Sequence, residues 1–119
     1  MVPLFMSSCA ATVVFEDRGV GDGSSEPWSG AGPHAVEYFA ADGEPWRGCQ
    51  FGLEIRQQGP DPLSNGVAVA TLPRQSVNPN ATIRGRLTSP DFAPGEYFLL
   101  YAGDLNCAWE VRVYALTTP

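Results

Sequence analysis

Apolar and polar residues alternate along much of this chain with a period of two. In the run from Cys49 to Arg56, the positions Cys49, Phe51, Leu53 and Ile55 share one parity, which places them on one face of a strand. Cys107, Trp109, Val111 and Val113 repeat the pattern near the C-terminus. Between Ala81 and Thr88, Ile83 and Leu87 alternate with Thr82, Arg84 and Arg86. Thr12 to Glu16, His34 to Ala40 and Val67 to Leu72 add further β-rich runs. Gly95 to Ala102 is apolar at both parities and predicts a central strand buried on both sides. No stretch sustains apolar residues at three- and four-residue spacing, and Gly or Pro interrupts nearly every window, so no helix is predicted.

Turn chemistry punctuates these runs. Gly19 to Ser25 is a glycine-rich turn, Asp42-Gly43 is a strong turn dipeptide, and Gly59 to Gly66 is a loop rich in Pro, Asp and Asn. The last two strands are predicted to form a hairpin across Gly103-Asp104-Leu105-Asn106. The expected fold is all-β, an antiparallel sandwich of seven to eight strands resembling a jelly roll. The 119 residues suit one domain, assigned to residues 12–119, with residues 1–11 as an N-terminal segment.

Composition narrows the partners. The net charge is −6, and all 7 basic residues are Arg. Such a chain cannot assemble the basic face that nucleic acid requires, and anionic membranes are disfavoured for the same reason. No run approaches the ~18 apolar residues of a spanning helix.

The 3 cysteines carry more information. Cys49 and Cys107 both open strands with inward parity, which suits a disulfide; a loop that long, once closed, contributes roughly 3–5 kcal/mol. Two buried thiols are the competing reading. Cys9 ends Leu4-Phe5-Met6-Ser7-Ser8-Cys9, which resembles the close of a bacterial lipoprotein signal and makes Cys9 a lipidation candidate. Either residues 1–11 are a signal remnant of a longer precursor, or Met1 is the start and residues 2–15 form an ordinary first strand. Asn80-Ala81-Thr82 matches the glycosylation acceptor triplet.

Catalytic chemistry is poorly represented. His34 is the sole histidine and reads as an exposed edge residue, and no Gly-x-Ser-x-Gly elbow supplies a nucleophile. Asp17, Asp22, Asp42, Asp61, Asp91 and Asp104 fall in predicted loops, without the spacing of a calcium-binding EF-hand. No enzyme activity, cofactor or metal is therefore expected. Trp28 and Trp46 follow two copies of Glu-Pro and fall in predicted loops, where a flat ring can stack on a sugar or anchor a protein. The competing reading has each ring folded back to plug one end of the sandwich. Trp109 is expected in the core, against the Cys49–Cys107 bridge.

Two families share features with residues 85–116. Gly85-Arg-Leu-Thr-Ser-Pro-Asp-Phe-Ala-Pro-Gly-Glu-Tyr97 and Cys107-Ala-Trp109 resemble the opening of a CUB domain, although a CUB domain continues for several strands beyond such a Trp. Pro94-Gly95-Glu96-Tyr97-Phe98-Leu99 and Trp109-Glu110-Val111-Arg112-Val113 resemble the closing strands of pre-peptidase C-terminal domains, small secreted bacterial β-sandwiches. Both resemblances imply an extracytoplasmic domain that binds rather than catalyses. The expected function is a non-enzymatic protein-interaction module, an accessory or structural subunit of a cell-envelope or secreted assembly, with Trp28, Trp46 or an open sheet edge meeting the partner. The alternatives are a virion decoration protein and a carbohydrate-binding module using the two loop tryptophans.

Overall fold

The computed structural model describes residues 10–43, 47–59, 66–89 and 92–117. Among the described residues nine strands follow one another: β1 (Ala10–Val20), β2 (Gly23–Ser24), β3 (Trp28–Gly32), β4 (His34–Asp42), β5 (Cys49–Gln57), β6 (Val67–Val77), β7 (Thr82–Thr88), β8 (Phe92–Gly103) and β9 (Cys107–Thr117). No helix occurs among the described residues. All pairings are antiparallel and fall into two sheets. One runs β1-β9-β4-β7; the other runs β2-β8-β5-β6, with β3 also paired to β8. β2 and β3 meet successive stretches of β8, at Leu100–Tyr101 and Phe92–Tyr97, so they act as one interrupted edge strand.

The alternating residues make the core. Phe51, Leu53 and Ile55 from β5 and Tyr97, Leu99 and Tyr101 from β8 join Val36 and Ala40 from β4 and Trp109, Val111 and Val113 from β9 in one buried cluster. Each sheet thus turns one face inward and leaves the other to solvent, as period-two patterning requires. Cys49 and Cys107 form a disulfide with Cα atoms 5.6 Å apart, across 58 residues of sequence. It joins β5 of one sheet to β9 of the other.

Four expectations need correction. β8 and β9 are not a hairpin: β8 pairs with β2, β3 and β5, while β9 pairs with β1 and β4. The short Asp104–Asn106 link crosses between sheets, held by Gln50 N–H donating to Asp104 Oδ2 at 2.9 Å and Cys107 N–H to Asp104 O at 2.9 Å. Trp28 lies in strand β3 and not in a loop; the run Trp-Ser-Gly-Ala-Gly has poor strand propensity, and pairing with β8 overrides it. β6 continues through Pro73, which falls within a bulge where Phe51 faces Gln75 and Leu53 faces Leu72. The extra residue leaves the ladder there, so the missing proline N–H costs little. Finally, Phe98, Leu100 and Ala102 of β8 are only half-buried, because nothing among the described residues covers that face fully.

Candidate binding face

Trp28 is 6% exposed and its ring stacks on Phe15 at 5.4 Å, so the expected loop platform is instead part of the core. Burial of so large an apolar ring outweighs any preference set by its polar sequence neighbours. Trp46 and Cys9 lie outside the described residues. His34, expected at an exposed edge, is 1% exposed and stacks on Phe92 at 4.6 Å. Its strand β4 lies between β9 and β7, so it is interior to its sheet.

Of the aspartates expected in loops, Asp17 lies within β1 and Asp42 closes β4, and Asp17, Asp42 and Asp104 all make structural hydrogen bonds or ion pairs. Asp42 accepts from Gly48 N–H at 2.7 Å and from the Asn106 side-chain amide at 2.8 Å. Asp104 pairs with Arg74 at 3.1 Å. Asp17 accepts from the Tyr101 hydroxyl at 2.8 Å. Burial first, then the hydrogen bond and charge of Asp17, raise the Tyr101 pKa far above its ordinary value. Asp61 and Asp91 lie outside the described residues. Among the described residues no three His, Cys, Asp or Glu side chains gather as a metal would need.

A feature with room for a ligand lies on the outer face of the β1-β9-β4-β7 sheet. It is an open trough of about 1040 Å³. Strand register builds its floor in two rows. Glu16, Arg112, Glu37 and Arg86 align across the four strands, and Arg18, Glu110, Phe39 and Arg84 align two residues further along. Opposite charges alternate across the first row, which stabilises neighbouring strands. Arg112 approaches Glu16 at 3.5 Å, and Tyr114 donates to Glu37 at 2.8 Å. The hydrogen bond with Tyr114, reinforced by Glu16 and Glu37, raises the Arg112 pKa above its ordinary value. The Arg84 guanidinium carbon sits 5.3 Å from the centre of the Phe39 ring, within cation–π range.

Arg18, Arg84 and Arg86 make no ion pair with the described residues, although all three are exposed. Their planar donor forks suit carboxylates in particular. The sequence did hold a signal for this face. Glu16 and Arg18, Glu37 and Phe39, Arg84 and Arg86, and Glu110 and Arg112 are each spaced by two residues on a strand. Only the pairing order shows that these four couples lie side by side.

Against known proteins, the chain matches no family model and no curated sequence. The functional reading therefore rests on the residues themselves.

Proposed function

We propose that this protein is a non-enzymatic, extracytoplasmic binding module that holds an acidic protein partner in the trough of its four-stranded sheet. The observation that carries this reading is a set of three exposed arginines that make no ion pair with the described residues, Arg18 on the β1 edge and Arg84 and Arg86 on the β7 edge of one sheet face, in a chain whose net charge is −6. Four of the chain's arginines line this trough with three glutamates and Asp17, so its charges balance in a chain that is acidic as a whole. Complementary charge of this kind favours encounter with a carboxylate-bearing partner.

Two further points support the reading. We read the two antiparallel sheets, β1-β9-β4-β7 and β2/β3-β8-β5-β6, as those of a jelly roll, which would give the binding face a stiff support. A buried disulfide between the sheets suits an oxidising compartment. The same strand orders favour a second reading, a subunit of a particle shell, because jelly rolls also build capsids. That reading rests on fold analogy alone.

Native extracts of the producing cells test the first reading. Tagged wild-type protein is expected in the envelope or secreted fraction, within a complex larger than its own mass. The double variant Arg84→Glu/Arg86→Glu is expected to leave that complex while keeping the wild-type melting temperature. Wild-type protein running at its own mass, or a variant that remains in the complex, overturns the proposal. Recovery in assembled particles, with free thiols, would establish the second reading instead.

A further inference from the structure

Trp28 Nε1 and His34 Nε2 are buried side-chain atoms with no hydrogen-bond partner among the described residues. They belong to different sheets, since β3 pairs with β8 and β4 with β9. Both converge on Gly30. A methyl group at that glycine would stand 2.9 Å from His34 Nε2 and 3.4 Å from Trp28 Nε1. Gly30 thus faces both nitrogens at once, and only a residue without a side chain fits against them.

Their hydrogen-bonding characters differ. His34 Nδ1 lies 2.9 Å from the Gly32 carbonyl oxygen, which can only accept, so Nδ1 carries the proton. In the neutral ring Nε2 is then a bare acceptor, whereas Trp28 Nε1–H is a bare donor. A metal cation would find one lone pair and an opposing N–H. An anion would find the reverse. A molecule that accepts one hydrogen bond and donates another satisfies both, and at 1% and 6% residue exposure it must be very small.

We propose that Trp28, Gly30 and His34 form a binding site for a single water molecule, which accepts from Trp28 Nε1–H and donates to His34 Nε2. Buried waters characteristically satisfy polar groups of this kind. The water links β3 to β4 across the two sheets. Along β4, His34 is the first residue and Asp42, opposite Cys107, is the last. The water bridge thus fastens the end of the molecule remote from the disulfide.

A crystal structure of the wild-type protein, at a resolution that shows ordered solvent, tests the site. The expected result is one density peak within hydrogen-bonding distance of both nitrogens. In solution, the Trp28 indole proton is expected to show a cross-peak to long-lived water. Gly30→Ala, whose methyl would press against both nitrogens, is expected to lose the cross-peak while the Trp109 indole signal stays in place. A dry space, a direct Trp28–His34 hydrogen bond, or a cross-peak that survives in Gly30→Ala overturns the proposal. Should Gly30→Ala fail to fold, the wild-type density and spectrum decide alone.

Discussion

The two ends of the core use the same kinds of residue and satisfy them differently. At the disulfide end, Trp109 packs over Gly19, where a Cβ would come within 3.0 Å of its ring, and its indole N–H donates to Gly21 O at 2.8 Å. Tyr101 stacks on Trp109 at 3.9 Å and donates to Asp17. Asp42, Gly48 and Asn106 lace the neighbouring loops together, and the disulfide spans both sheets. At the far end Trp28 also lies beside a glycine, and its neighbours Tyr97, Phe92 and His34 form a chain of ring contacts. There the indole N–H and the imidazole Nε2 find no protein partner. The difference lies in what surrounds each ring. The Gly21 turn offers a carbonyl to Trp109, whereas no described group accepts from the Trp28 indole. A buried tryptophan therefore adds apolar area wherever it sits, but its N–H stabilises only where an acceptor is supplied.

Breaking the covalent end should give the largest effect. Replacing both Cys49 and Cys107 by Ala is expected to lower stability by about 4 kcal/mol, mainly by freeing a long loop in the unfolded chain. Urea unfolding of the variant, compared with the wild type under non-reducing conditions, measures it. A midpoint that barely moves would mean that the noncovalent contacts carry this end alone.

The two glycines sharpen the comparison. Gly19→Ala and Gly30→Ala each introduce a methyl at about contact-breaking distance, and each is expected to cost roughly 1–3 kcal/mol. Gly30→Ala should be the more costly, because its methyl would also displace the proposed water from two buried polar nitrogens that have no other partner among the described residues. Thermal unfolding of the pair decides the order; equal costs would show that steric crowding alone is at work.

Alkaline pH gives the smallest and most graded effect. Burial raises the pKa of Tyr97 at the far end, and burial with Asp17 raises that of Tyr101 at the disulfide end. Both folded-state values exceed the unfolded value near 10, so the unfolded chain releases these protons first. The stabilising contribution is complete below about pH 10 and is lost as pH rises through the folded values. The slope is about 1.4 kcal/mol per pH unit for each tyrosine held neutral. Denaturant midpoints measured from pH 8 to 11 should be level and then fall. Tyr101→Phe should flatten that fall more than Tyr97→Phe, since Asp17 adds to the shift at Tyr101 alone.

Much of the β architecture was legible from parity. Cys49, Phe51, Leu53 and Ile55, and Cys107, Trp109, Val111 and Val113, point inward as their alternation implies. Strand pairing was not legible. The Gly103–Asn106 link looks like a hairpin turn because a short connection between two strands has the same local chemistry whether they pair or change sheets. β3 was hidden by its glycines, and His34 by the Gly-Pro pair before it. The charged trough was divided among four strands far apart in sequence.

The order of apolar and polar residues by itself determined most of the strands and their inward faces, the absence of helical periodicity and the two cysteines able to meet. Those properties are local, set by backbone geometry and side-chain burial within one strand. Only the tertiary structure decided which strands are neighbours. That choice placed Arg18, Arg84 and Arg86 on one face, brought Trp28 and His34 together over Gly30, and sent β8 and β9 into different sheets. Such placements depend on long-range pairing, where the contact energy of whole sheets overrides the preferences of any single segment.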